Sequence, residues 1–239
     1  MASFDVIPAI DVLEGRCVRL SEGRRDHVTI EGGDPAAAAA RFASEGASRL
    51  HVVDLDGAFS GRPTTGLIEK VTAAGVPIQI GGGLRDPDSI QAALDAGATR
   101  AIVGTAALAE GSGSSLTRLV ERFGEQLVVA VDAKDGRVVS KGWVADSNLP
   151  ARDLALRCAE AGVRRLLVTS TRRDGSLAGP DMRLLAEALE SGLPVIAAGG
   201  IASLDDLAAL RDLGCEGAVV GSALWAGRFS LSEALAYCA

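Results

Sequence analysis

A (β/α)8 (TIM) barrel with an internal two-fold (βα)4 repeat is the fold this sequence predicts, and three observations predict it. Short β-branched runs alternate with alanine- and leucine-rich amphipathic segments eight times in 239 residues, which matches that fold in count and size. The stretch Pro77 to Leu108 aligns without a gap on Pro194 to Trp225, 117 residues later, with 11 of 32 positions identical. Two apolar runs half a chain apart, PAID and VAVD, each end in a carboxylate, Asp11 and Asp132. A doubly wound open sheet is the structural rival, but it usually carries one nucleotide crevice and gives no reason for halves that repeat. No linker or composition break interrupts residues 1–239, so one domain is expected.

The elements follow in order. Strands are predicted near 5–10, 50–53, 78–80, 101–103, 127–131, 165–168, 195–197 and 218–220, in runs with little polar alternation, as expected where both faces of a parallel sheet are buried. Helical patterns lie between and after them, near 34–45, 66–74, 86–96, 114–123, 150–161, 181–191, 203–213 and 230–237. Asp34-Pro35 and Asp86-Pro87 read as an N-cap followed by proline at the first helical position. Gly46, Gly75, Gly97, Gly162, Gly192 and Gly214 read as helix stops. Beyond the long repeat, Arg49-Leu50 with Asp56-Gly57 echoes Arg165-Leu166 with Asp174-Gly175.

Composition narrows the function. The chain is 48% hydrophobic and 23% charged, with no apolar run of bilayer length and no opening signal segment, so the cytoplasm is expected and a membrane partner is not. Net charge of −7 and eight aromatic residues argue against a nucleic-acid surface. Cys17, Cys158, Cys215 and Cys238 are widely spaced and read as small thiols, not a disulfide framework or a metal knuckle. With only His27 and His51 present, a histidine-based metal site or a Ser-His-Asp triad is close to excluded. No metal and no cofactor are expected. A monomer is expected.

Chemistry in such a barrel sits where the strands end. Asp11 and Asp132 would face each other from strands one and five, where two carboxylates can divide acid and base roles if their surroundings separate their pKa values. The blander reading has each capping a helix or pairing with Arg19 or Lys141. Strand six leads into the polar run TSTRRDGS, which makes Thr169 and Asp174 candidate substrate contacts. Gly82 and Gly83 with Gly104 and Thr105, and Gly199 and Gly200 with Gly221 and Ser222, read as two phosphate cradles. Glycine lets an oxyanion approach backbone amides, the following helix offers free N–H groups, and the hydroxyl adds a donor. One such turn would be weak; two matched pairs predict a small-molecule substrate with a phosphate at each end. Arg19 and Arg85 are candidate cations for the cradles. The loop after strand five carries Lys141 and Trp143, and that indole could stack on a heterocycle. Trp225 reads as structural and His51 as a buried, hydrogen-bonded histidine.

Taken together, PAIDV, GRCVRL, HVVDLDGA, IQIGGGLR, IVGTAAL, VDAKDGRV, KGW, TSTRRDGSLAGP, AAGGI and VVGSAL resemble, essentially end to end, the HisA isomerase family of histidine biosynthesis. The resemblance implies a (β/α)8 barrel acting without cofactor or metal on a bisphosphorylated ribosyl-imidazole. The implied reaction is an Amadori rearrangement of the aminoaldose ProFAR to the aminoketose PRFAR. It implies Asp11 as general base and Asp132 as general acid, with Thr169 and Asp174 assisting; the sequence leaves the proton donor open between Asp132, ranked first, and Asp174. Two relatives stay open as alternatives. The cyclase subunit of imidazole glycerol phosphate synthase shares the aspartates and a TSxxRDG run, but looks like CLDV with lysine where this chain has PAIDV and Arg19, and lacks KGW. The dual-substrate isomerase that also takes phosphoribosylanthranilate looks like RGW where this chain has Lys141. A barrel that only binds phosphorylated metabolites is disfavoured by the carboxylates at its mouth, which would repel dianions.

Overall fold

The computed structural model of the protein describes residues 4–20, 28–104, 116–140 and 145–239. Eight parallel strands form a ring: β1 (Asp5–Leu13), β2 (Leu50–Asp54), β3 (Ile78–Gly81), β4 (Arg100–Val103), β5 (Leu127–Lys134), β6 (Leu166–Ser170), β7 (Val195–Ala198) and β8 (Gly217–Val220). Each pairs with its sequence neighbours, β6 joins β5 in the register Thr169 to Asp132, and β8 joins β1 from Asp5–Gly217 to Pro8–Val220, so the barrel closes. Around it lie α1 (Pro35–Ser44), α2 (Leu67–Thr72), α3 (Pro87–Asp95), α4 (Leu116–Phe123), α5 (Ala151–Glu160), α6 (Met182–Leu189), α7 (Leu204–Leu213) and α8 (Leu231–Cys238). The expected elements are therefore present, each within a few residues of its sequence-read bounds.

The alternation of the strands sorts the core. Outward residues such as Ile10, Val52, Ile78 and Val168 pack against Phe42, Ile90, Leu119, Leu207 and Leu210 from the helices. Inward residues Ile7, Ile102, Val128, Leu167, Ile196 and Val219 fill the barrel itself. At the N-terminal end, Arg165 bonds Glu216 at 2.5 Å while Arg49 and Arg100 approach Asp5 and Glu216 at 3.9 Å. Toward the opposite end the inward positions shrink to Ala9, Gly81, Gly104, Ala130 and Ala198, and the filled core gives way to a cavity. The four cysteines are buried and free.

One sequence reading needs correcting. Asp11 and Asp132 do not end their strands. β1 runs on to Leu13 and turns through Glu14 (φ 52) and Gly15 (φ 74) into an antiparallel strand, Arg16–Leu20, which pairs onward with Val28–Gly33. β5 runs on to Lys134 and turns through Asp135 (φ 52) and Gly136 (φ 76) into Arg137–Ser140, which pairs with Ala145–Pro150. Two consecutive positive φ values are what a two-residue hairpin turn with the strands' own twist requires. The hairpins are a further copy of the two-fold repeat, and the first carries Arg19 back over the barrel mouth.

Candidate active site

The cavity at the C-terminal end of the barrel encloses about 330 Å³, within the range of small-ligand sites, and every strand contributes to its wall. Asp11 from β1 and Asp132 from β5 both line it, from strands four places apart in a ring of eight. Thr169 stands in register with Asp132 on the neighbouring strand and is buried. Asp174, on the loop after β6, also reaches the wall.

Arg19 organises the acidic side. Its guanidinium donates to Asp11 Oδ2 at 2.7 Å and to Ser222 Oγ at 3.5 Å, with only 6% of the residue exposed. Burial pushes the Asp11 carboxyl up to about 6; the Arg19 charge opposes that and the nearby Asp174 charge adds to it. Asp174 is likewise raised by burial, against the pull of Arg19 and a backbone hydrogen bond from Gly175. The Asp174 charge therefore raises the Asp11 carboxyl, while one cation, Arg19, pulls on both. Asp174 thus stands as a third carboxylate on the wall, beside the Asp11–Asp132 pair that the strand positions predict. The loop fold explains why: Asp174 donates its backbone N–H to Ser170 O at 3.0 Å, which turns the chain back over the mouth.

The doubled glycines sit where backbone crowding demands them. A Cβ on Gly82 (φ 108) would lie 2.0 Å from Asp54 O, and one on Gly83 (φ 79) 2.7 Å from Gly57 O. In the other half a Cβ on Gly199 (φ 91) would lie 2.8 Å from Ser170 O, and one on Gly200 (φ 85) 2.2 Å from Gly179 O. Both turns line the cavity, from β3 and β7 on opposite sides of the ring. The cradle reading needs one correction. Helix α3 does not offer an open N-terminus, because Pro87 has no N–H and the capping box takes the next two, while the capping box of α7 engages only part of its first turn. Asp86 accepts from Asp88 and Ser89 N–H, while Ser203 and Asp206 form the α7 box. The glycine turns, the part of the α7 first turn that its cap does not engage, and the short helix Ser222–Trp225 that opens after Gly221 are left as the amide sources.

The two outer glycines differ. Gly104 has open space where a Cβ would be, whereas a Cβ on Gly221 would lie 2.5 Å from the Arg19 guanidinium, which rests in that cradle. Arg85 lines the first cradle with its Nη2 donating to Ala58 O at 3.0 Å. Thr105, Lys141 and Trp143 lie outside the described residues. Trp225 is structural, as read: its Nε1 donates to Ala9 O at 2.9 Å and its ring meets Phe42 edge-on.

Three contributors escaped the sequence reading. Asp54 is buried and accepts from Gly57 N, Thr64 N and Thr64 Oγ1, pinning the short helix Leu55–Ser60 that brings Phe59 to the rim. His51 is buried, as expected, but also lines the cavity. Phe59 is 43% exposed at that wall, and an isolated Phe in an unassigned loop carries no sequence signal.

A glycine turn repeated on opposite strands, with carboxylates under an arginine between them, defines an acid–base (β/α)8 barrel built by duplication. Residues 5–230 match the family model described as histidine biosynthesis protein, and the chain belongs to that family. It is 46% identical over 240 residues to a protein of Moorella thermoacetica, covering 98% of each chain. It is 44% identical over 236 residues to one of Chloroflexus aggregans, covering 98% of this chain and 97% of that one. A Marinobacter nauticus protein matches at 43% over 240 residues, 98% and 97% covered. All three are named 1-(5-phosphoribosyl)-5-((5-phosphoribosylamino)methylideneamino)imidazole-4-carboxamide isomerase.

Proposed function

We propose that this chain isomerises ProFAR to PRFAR, the aldose-to-ketose step its relatives are named for. The observation that carries the reading is the pairing of Gly82-Gly83 and Gly199-Gly200 on opposite sides of a cavity whose rim holds Asp11 and Asp174. A substrate with a phosphate at each end would lie across it with its reacting ribose over the carboxylates.

Asp174, whose carboxyl burial pushes toward the protonated form, gives its proton to the ribose ring oxygen. The C1′–O bond breaks onto that oxygen and the nitrogen lone pair closes the Schiff base. Asp11 takes the C2′ proton; the C–H pair forms the C1′–C2′ double bond and the C=N π pair returns to nitrogen. Asp174 then recovers the C2′ hydroxyl proton and Asp11 returns its proton to C1′, leaving a ketone and both carboxyls restored. Only protons move, so no redox partner is consumed. Asp174 is taken as the donor in this scheme because burial raises its carboxyl and its charge acts on Asp11. Asp132 and Thr169, in register, then position the substrate. Arg19 and Ser222 serve the second phosphate and Arg85 the first. The same reading has residues 1–239 working as one domain, a cytoplasmic monomer.

The test is turnover of ProFAR followed by absorbance, beside phosphoribosylanthranilate and beside PRFAR with ammonia. Conversion of ProFAR alone is expected; binding without conversion would overturn the assignment.

A further inference from the structure

A buried polar pair that the mechanism above does not use reaches the cavity through one of its members, His51. His51 on β2 is 7% exposed, and its Nδ1 lies 3.0 Å from Nε2 of Gln79 on β3, a side chain with no exposure at all. The two residues are register partners, and His51 is also in register with Ala9, one inward position below Asp11 on β1. A glutamine and a histidine side by side inside an otherwise aliphatic barrel are costly unless their hydrogen-bonding groups are used.

The hydrogen-bond inventory sets the tautomer. With the amide nitrogen toward the ring, Gln79 donates to Nδ1, and its own Oε1 is left buried without a hydrogen-bond partner. Turning the amide over would put the NH2 group, with two protons, in that unpartnered place, which leaves more unsatisfied. Nδ1 is therefore the acceptor and the ring proton is on Nε2. With Nδ1 engaged by Gln79, Nε2 is the nitrogen left for the cavity that His51 lines.

We propose that His51 is a further catalytic residue: a neutral imidazole, its tautomer held by Gln79, whose Nε2–H donates to the substrate oxygen that turns from C2′ hydroxyl to ketone. This rests on the isomerase reading and deepens it. The oxygen gathers negative charge as it gives up its proton, and a fixed donor stabilises that charge without transferring a proton. Neutrality matters to the neighbouring base. A second cation beside Arg19 would hold the Asp11 carboxylate more tightly and weaken it as a proton acceptor. Burial and the Arg19 charge both hold His51 neutral, down to about 4. A neutral imidazole acting as electrophile beside a carboxylate base is an arrangement other sugar-phosphate isomerases use.

The experiment begins with the unaltered protein. It contains only His27 and His51, so nitrogen-15 spectra of histidine-labelled protein are assignable with one His27→Asn variant. His51 is expected as the neutral Nε2–H form from pH 5 to 8, with its Nε2 resonance moving when PRFAR is added. A cationic ring, an Nδ1–H form, or no response to PRFAR would overturn the proposal whether or not any His51 variant folds. Kinetics give the second arm. Asn at 51 places its amide at the Nδ1 position and leaves no donor at Nε2, so His51→Asn is expected to lower kcat about 10²–10³-fold with KM within about tenfold. His51→Gln reaches the Nε2 position and should recover at least tenfold of that loss. His51→Asn within about threefold of wild type, or no recovery by a folded His51→Gln, would sink it. Gln79→Glu should convert the ring to the Nδ1–H or doubly protonated form in the same spectra, the mark of a positioning residue. If the wild type itself fails to convert ProFAR, the isomerase reading falls; if it converts and His51→Asn does too, only this inference falls.

Discussion

The Arg19 guanidinium lies 2.7 Å from an Asp11 carboxylate oxygen and 3.5 Å from Ser222 Oγ, so one buried cation joins the base to the second glycine cradle. A phosphate entering that cradle competes with Asp11 for the same charge. Arg19→Leu removes the one opposing influence on a carboxyl that burial already raises. The expected result is a fall in kcat/KM of about 10²-fold or more, with the acidic limb of the pH profile moved to higher pH. A limb that stays in place would show that the ion pair does not reach the base.

In the wild type the same group sets the acidic limb directly. Asp11 must be ionised to accept the C2′ proton, so kcat/KM should rise with pH through about 6, the value to which burial pushes it. Asp174 must be protonated to donate, so activity should fall again as pH passes its own raised pKa. A bell-shaped profile is expected, read as belonging to the pair and not to either residue alone.

Asp11→Asn should abolish turnover while leaving substrate affinity within about tenfold. It should also stabilise the fold. The folded pKa of Asp11 lies above the ordinary carboxylate value, so the folded state holds the proton more tightly than the unfolded state. Ionising it above about pH 6 therefore costs stability, up to about 3 kcal/mol for the shift involved. Thermal melts should place Asp11→Asn above wild type at pH 7.5, with the gap closing toward pH 4. An unchanged melting temperature at pH 7.5 would contradict the burial argument.

The glycines separate folding from binding. Gly82→Ala sets a Cβ 2.0 Å from Asp54 O on a residue with φ of 108, and Gly200→Ala one 2.2 Å from Gly179 O with φ of 85. Each should cost several kcal/mol, of order 2–4, and yield little folded protein. Gly104→Ala meets nothing within 4 Å and should melt as wild type does. If Gly104 helps seat a phosphate, its KM should nevertheless rise about tenfold or more. A Gly104→Ala enzyme with unchanged KM would remove that glycine from the cradle.

How much of this the sequence contained depends on the kind of interaction. Periodicity and caps are local. The Asp34-Pro35 and Asp86-Pro87 starts both form, and the glycine stops at Gly46, Gly97 and Gly214 all take positive φ, because those choices are made within a turn of chain. The hairpin turns at Glu14-Gly15 and Asp135-Gly136 were equally local and legible. A strand that ends at its carboxylate satisfies the barrel pattern equally well, so the pattern alone does not call for them.

The duplication, and with it the eight-fold order and the two opposed glycine turns, was determined by the sequence alone, since each half must bury the same faces and make the same backbone contacts. What only the tertiary structure decided is which charges meet. The Asp174 charge reaches Asp11, Arg19 reaches across from its hairpin, and His51 leaves one nitrogen to the cavity. Those outcomes depend on loop paths and on burial, which set pKa values through desolvation and distance, and neither quantity is written in the spacing of residues along the chain.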